Sequence, residues 1–499
     1  MPQIIQQETG VSGSVRPSPV NGASIARGAA GGKTVQPLIF LELNELCPHL
    51  LEKWMAAGAL PNFKALYDAS QIYVITPDVD DPRNLEPWIQ WYSIHTGLSF
   101  DQHDVFHLTD GPRAGHTDIW EILRGEGYRV GNCSSMNAKQ FAEPGSFYLP
   151  DPWCTSEQAS PEPLNTFHKF VAANVQEYTN TQSKLGMGDY ARFVSFLMTH
   201  GLRFETIAAI VKQLGTEKLV DGGEYWRRVA LLDSLQFDVF QHYQKSLRPH
   251  FSTFFANSVA HLQHAHWREM EPEAFQVKSS EAQQRRYGDA ILFGYQQMDK
   301  LVGDVARMAD AQNAFLVFAT ALSQQPFLKY ESIGGQQFYR VRDIEAFLDQ
   351  IGVKYSTVQP TMTHQYQVQF ASDSEREDAQ RKLAALKMDG QLVFGFDRVE
   401  GASLYFGCTI RTNQPETARM TIGNQDVRFF DTFYHIDATK SGRHHPDGCL
   451  WFRSGTHKRY EEKVSILDIF PTLLDYFRVD APAGKHGKPL GRIIRDAFA

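Results

Sequence analysis

Apolar runs of strand length alternate with amphipathic runs of helix length along much of this chain, and that alternation restricts the fold more than any single motif. The runs "PLIFLELNEL", "QIYVITP", "RVGNCSS", "HFSTFFANSVAH" and "NAFLVFATAL" read as strands, and "HTDIWEILRGEG" and "YGDAILFGYQQMDKLVGDVARMAD" between them read as helices. Near-continuously apolar strands are buried on both faces, as they are when crossover helices cover both sides of a parallel sheet. The pattern predicts an α/β fold with a doubly wound, mostly parallel sheet. Ligands of such sheets sit beyond the carboxyl ends of the strands.

Two regions interrupt the alternation. Residues 155–250, with "RFVSFLMTHGLRFETIAAIVKQL" and "YWRRVALLDSLQFDVFQHYQKSL", have helical periodicity and read as a helical insertion. Residues 335–430 read as a small α/β cap subdomain: strand "HQYQVQFAS", charged helix "DSEREDAQRKLAALKM", then strands "QLVFGFDRVEG" and "SLYFGCTI". That leaves 36–154, 251–334 and 431–499 for the core, the last containing the amphipathic start "KVSILDIFPTLLDYF". Residues 1–35 are rich in Gly, Ser, Ala and Pro without periodicity and read as a disordered leader.

A formal net charge of -8 gives no basic footprint, so nucleic acid is not an expected partner. The five cysteines are spread along the chain with no CxxC pair, which speaks against a disulfide framework or a structural zinc cluster and for a reducing, cytoplasmic setting. No apolar run approaches bilayer-spanning length, so no membrane partner is expected.

At the end of one predicted strand, "FFANSVAHLQHAHWREMEP" places His261, His264 and His266 within six residues. Imidazole nitrogens suit zinc, iron, copper or nickel. If the segment is helical, His261 and His264 share a face; if extended, His264 and His266 do. At the end of the first strand stand Glu42, Asn44 and Glu45, and strand alternation puts Glu42 and Asn44 on one face.

In their order, "LNELCPHLLEKWMAAGALPNFKAL", "EPWIQWYSIHTGLSFDQHDVFH", "AHLQHAHWREMEP", "FLVFATALSQQPF" and "GRHHPDGCLWFRSG" followed by "VSILDIFPTLLDYF" resemble the alkaline phosphatase superfamily, most closely its type I phosphodiesterase and nucleotide pyrophosphatase branch. The resemblance implies a doubly wound sheet and two metal ions flanking a Thr or Ser nucleophile, because paired cations stabilise both the attacking and the leaving oxygen. Several of those positions are altered here. The family's first-strand aspartate falls at Asn44, and its nucleophile falls near Glu86 or Pro87. Ser93 and Thr96 belong to the helix beyond, Ala260 stands where an aspartate is expected, and Ala321-Leu322 replace an Asp-His pair. His264 and His445 match the family's remaining histidines. By this correspondence one metal site is erased and half of the other is kept.

The expected site is thus a single divalent transition metal, zinc first with iron or manganese as alternatives, on His264 and His445, completed by His261, His266 or Glu86. Glu86 is also a candidate general base and Asn44 a polar contributor to catalysis, while His444 is either an orienting neighbour or exposed. The expected function is hydrolysis or transfer at a small-molecule phosphate or sulfate ester, with a metal-activated water in place of the missing side-chain nucleophile. The alternatives are a catalytically silent relative that binds a ligand or partner, and a mononuclear iron enzyme built on two histidines and a carboxylate.

Overall fold

Every residue of Leu38–Leu43, strand β1, is buried, and the central sheet is laid out around it. The computed structural model describes residues 35–491 apart from 155, 178–184, 220–223, 362–363, 424 and 437–439, so the leader expected over 1–35 lies outside the described residues but for Val35. The other core strands are β2 (Ser70–Thr76), β3 (Val130–Cys133), β4 (Phe147–Leu149), β5 (Phe251–Ala256) and β6 (Phe315–Ala319). After a short strand β7 (Ser323–Pro326) and residues 335–430 come β8 (Gly442–His445), β9 (Gly448–Arg453), β10 (Lys458–Arg459) and β11 (Val464–Ser465).

The sheet order is β10-β2-β9-β6-β1-β5-β3-β4, with β11 also beside β2. β1 runs parallel to β5 and β6, and β3 parallel to β4 and β5. β9 alone runs antiparallel, between β6 and β2. The mostly parallel α/β sheet expected from the sequence is therefore present. Leu43 lies opposite Ala256 and Glu42 opposite Ala319, so the segments that leave β1, β5 and β6 emerge together at one edge.

Helices cover the sheet. After β1 come α1 (Pro48–Ala56) and α2 (Pro61–Asp68), each with proline in its first turn, where a missing N–H costs nothing. α3 (Pro87–Thr96) is buried on nearly all sides. Between β4 and β5 the described residues form α4 (Leu164–Glu177), α5 (Met187–Thr199), α6 (Phe204–Leu219) and α7 (Arg228–Leu247). α8 (Ser258–Met270) and α9 (Ala290–Gln312) follow β5, and α10 (Ile469–Tyr476) lies near the C-terminus. The Asp299 carboxylate on α9 accepts the Asn62 and Phe63 backbone N–H groups at 2.9 and 2.8 Å, which caps α2 and locks α9 to it.

The run "HFSTFFANSVAH" is strand only to Ala256; Ser258 already opens α8. Val259, Leu262 and Trp267 are buried at helical spacing, and the side chain of Leu262 lies where any side chain at Gly294 of α9 would intrude. Burial against α9 thus makes this histidine-rich segment a helix.

Within 335–430, the strands Thr357–Pro360, Gln365–Gln369, Ser403–Cys408 and Phe394–Glu400 form an antiparallel sheet. The charged helix Asp373–Ala384 starts at a Ser372 cap and buries Ala379 and Leu383 in a separate apolar cluster with Val368, Leu404 and Phe406. No helix among the described residues is long and apolar enough to cross a membrane.

Candidate metal centre

The edge where β1, β5 and β6 end gathers three donors: Glu45 after β1, His264 on α8 and His444 on β8. Their ligand atoms all lie within 4.8 Å of one another. Glu45 has φ of +65°, an uncommon left-handed conformation for a residue with a side chain. That turn takes its side chain off the strand alternation and into the site. The carboxylate is 2 % exposed and held on both oxygens: Asn44 Nδ2 donates to Oε1 at 2.7 Å, and Gln324 Nε2 donates to Oε2. Burial raises its pKa, but His444, His264 and Gln324 outweigh burial and hold it down to about 2, so Glu45 is an anion at neutral pH.

His264 Nδ1 donates to the Gly442 carbonyl at 2.9 Å. A carbonyl only accepts, so Nδ1 carries the proton and the neutral ring turns the lone pair of Nε2 toward Glu45 Oε2, 3.3 Å away. Two acceptors facing each other at that distance are satisfied by a second proton on the ring or by a metal ion. The contact with Gly442 depends on glycine, because a Cβ there would lie 2.5 Å from Gln324 Oε1 and 2.7 Å from the Gln263 carbonyl oxygen. His444 Nε2 approaches the same Glu45 Oε2 at 3.5 Å. Tetrahedral zinc with bonds of about 2.0–2.1 Å separates its donors by roughly 3.3–3.4 Å. The separations of His264 and His444 from Glu45 Oε2 match that spacing, so the residues fit a zinc-sized ion.

Glu86, at the N-terminus of α3, places Oε2 at 3.5 Å from His444 Nδ1. Its pKa is raised by burial and by the charge of Glu45, against the pull of His444 and Lys440. Lys440, just before β8, is drawn electrostatically to Glu86 and Glu45 and repelled by Arg411, and burial lowers its pKa. The Lys440 ammonium and the Arg411 guanidinium each sit 5.5 Å from the centre of the Phe338 ring. Two cations thus gather beside the Phe338 ring, one of them, Lys440, within electrostatic reach of Glu86 and Glu45.

The structure brings only some of the sequence candidates together. His264 is in the cluster and Glu86 adjoins it. His445 is not: β8 pairs antiparallel with β7, with His444 opposite Gln324 and His445 opposite Ser323, so adjacent histidines take opposite faces. His445 Nδ1 accepts the Asp447 N–H at 3.1 Å. The helical α8 puts His261 one turn before His264, outside the three-residue cluster, where burial, His264 and Lys440 push its pKa down to about 4. His266 sits at the kink of α8, stacked on Tyr287 with centroids 4.6 Å apart. Asn44, besides holding Glu45, donates to Asn257 Oδ1 and accepts from Trp91 Nε1.

Glu42, though on the strand face shared with Asn44, is consumed by the core, accepting from Ser135 Oγ and pairing with His95 Nε2 at 2.8 Å. Ser93 is fully buried between Asp78 and His103. His103 Nδ1 accepts the Val105 N–H, so its Nε2–H points at the serine and cannot take the serine's proton. Thr96 Oγ1 donates to the Tyr92 carbonyl, and burial pushes the Cys47 thiol up to about 12. All five cysteines are free and buried. Gln324, on β7, braces Glu45 and donates to the Ala260 carbonyl. Of the clustered donors, the sequence places Glu45 only at the end of the first strand and His444 only as an orienting neighbour or an exposed residue.

No protein-family model and no curated protein matches the chain. Solved structures do. Wild-type alkaline phosphatase PafA matches at 11% identity over 93% of this chain and 100% of that one, with a TM-score of 0.46. Phosphonoacetate hydrolase from Sinorhizobium meliloti 1021 matches at 12% identity over 93% and 96%, with a TM-score of 0.38. Murine ectonucleotide pyrophosphatase/phosphodiesterase 5 matches at 9% identity over 92% and 99%, with a TM-score of 0.39. The first and third bear the names of the groups that the sequence resembles.

Proposed function

We propose that this chain is a metal-dependent hydrolase or transferase acting on a small phosphate or sulfate ester, with one divalent ion held by Glu45, His264 and His444. The observation that carries this is the convergence of an ionised, buried carboxylate oxygen and two imidazole nitrogens at zinc-like spacing. The bound ion would supply Lewis-acid polarisation of the ester and a more acidic water.

The chain's own groups divide the remaining work. Ser93 and Thr96 are sequestered in the core and burial keeps the Cys47 thiol protonated, so water attacks. Glu86 Oε2 takes the proton of that water, and its raised pKa brings its basicity nearer to neutral pH than that of an ordinary glutamate. Lys440, within electrostatic reach of both carboxylates, and Arg411, which sits with it beside the Phe338 ring, would hold the anionic part of the ester. Residues 335–430, which supply Phe338 and Arg411, serve in this reading as the cap over the substrate. Two imidazoles and one carboxylate are also the donor set of mononuclear iron oxygenases, which is the second reading.

Elemental analysis of purified protein, followed by assays on aryl phosphate and sulfate esters, tests the proposal. Stoichiometric zinc or manganese with esterase activity supports it, and stoichiometric iron favours the second reading. His264→Ala and His444→Ala should empty the site while His445→Ala leaves it filled. A protein without stoichiometric metal, or one that loses metal on His445→Ala but not on His444→Ala, defeats the assignment.

A further inference from the structure

Large apolar side chains that stand in solvent are concentrated in one place: among the described residues, nine of fourteen lie between Met187 and Tyr225. On α5, Met187, Val194 and Met198 recur at helical spacing on the side away from buried Phe193 and Leu197. α6 inverts the ordinary pattern of a surface helix. Its buried residues are Thr206 and Gln213, whereas Phe204, Val211 and Leu219 face outward, each more than half exposed.

Polar bonds fix that orientation. Gln213 Nε2 donates to Glu217 Oε1 and to the Glu224 carbonyl, and Glu217 pairs with Arg228 of α7. The short turn from α5 to α6 is pinned by Arg203, whose guanidinium bonds the buried Asp238 and the half-buried Asp304. Met198 and Phe204 flank this turn, so the two stripes meet there.

At these exposures the outward apolar side chains present on the order of 1,000 Å², against about 800 Å² per partner in a stable interface of standard size. From Met187 to Leu219 the chain carries four basic residues (Arg192, Arg203, Lys212, Lys218) and three acidic ones (Asp189, Glu205, Glu217). This near-neutral balance lacks the polybasic character that draws an amphipathic helix to anionic lipid, and it lets the face meet a copy of itself without like-charge repulsion. We propose that the outward face of α5 and α6 is the interface of a homodimer, in which the stripes of two copies pack across a twofold axis.

Light scattering behind size exclusion, run on the full chain up to about 100 µM, tests this. The expected mass is twice the 56.6 kDa of the chain. Met198→Glu combined with Val211→Glu should return the monomer mass with an unchanged circular dichroism spectrum. A monomeric wild type overturns the proposal, as does a dimer that survives the double substitution. A wild-type monomer that floats with phosphatidylcholine–phosphatidylserine vesicles overturns it in favour of a lipid surface. Should the double variant fail to fold, hydrogen exchange of the wild type at low and high concentration decides: slower exchange in α5 and α6 at high concentration supports the dimer, and concentration-independent exchange refutes it.

Discussion

Glu45→Gln removes the charge of the proposed centre while keeping nearly the same shape. Both carboxylate oxygens accept from amide donors, Asn44 Nδ2 on one and Gln324 Nε2 on the other. The substituted amide has only one acceptor oxygen, so its NH2 must face one of those donors. In a site this buried the mismatch costs about 1–3 kcal/mol of metal-free stability. The effect on metal binding should be larger in kind. Partners that merely orient a ligand are worth about 10–100-fold in affinity, and Glu45 is the anionic member of the donor cluster. Its loss should weaken zinc binding by at least about 100-fold, or ~2.7 kcal/mol. The measurement is competition with a fluorescent zinc chelator on protein stripped by dialysis, alongside urea unfolding in chelator to separate lost affinity from lost fold. A folded variant whose zinc Kd stays within about threefold of wild type would show that Glu45 is no ligand.

Other outcomes follow from the same structure. Glu86→Gln should keep metal occupancy while kcat falls by about 10²–10⁴-fold, the range for a general base. The wild type should lose activity as pH falls through the raised pKa of Glu86, and persistence of that acid limb in the variant would contradict the role. Lys440→Met should raise KM for an anionic ester more than it lowers kcat, and an unchanged KM would remove Lys440 from substrate binding. Tyr295→Phe strips a hydroxyl that donates to Gln263 Oε1 and accepts from the Cys47 N–H, so urea unfolding should show a loss of about 1–3 kcal/mol. Burial raises Asp151 to about 7 despite three backbone N–H donors. Because the folded value lies above the unfolded one, its stabilising proton is fully in place below about pH 4 and is lost as pH rises through 7. Relative to wild type, Asp151→Asn should therefore gain about 2–4 kcal/mol between those limits, and a pH-independent difference would refute the shift.

The parallel sheet was legible because its central strands are apolar over their whole length and its helices have clear periodicity, signals that burial imposes on sequence directly. The make-up of the proposed site was legible only in part, for local reasons. His444 and His445 are adjacent on a strand, so a single residue of register decides which one faces the cluster. That register is set by pairing with β7, where His444 lies opposite Gln324. Glu45 lies beyond the reach of strand alternation because its φ of +65° turns it out of the strand. Nothing in a glutamate marks such a turn, whose conformation is enforced by its surroundings: Gln263 Nε2 holds the Glu45 carbonyl at 2.8 Å, and Tyr295 and Cys47 hold Gln263. This brace fixes the backbone from which the carboxylate reaches the two imidazoles. Disrupting Gln263, which touches none of the donors' ligand atoms, should therefore weaken metal binding through the backbone of Glu45 alone, and Gln263→Leu with unaltered zinc affinity would show that the turn needs no such support.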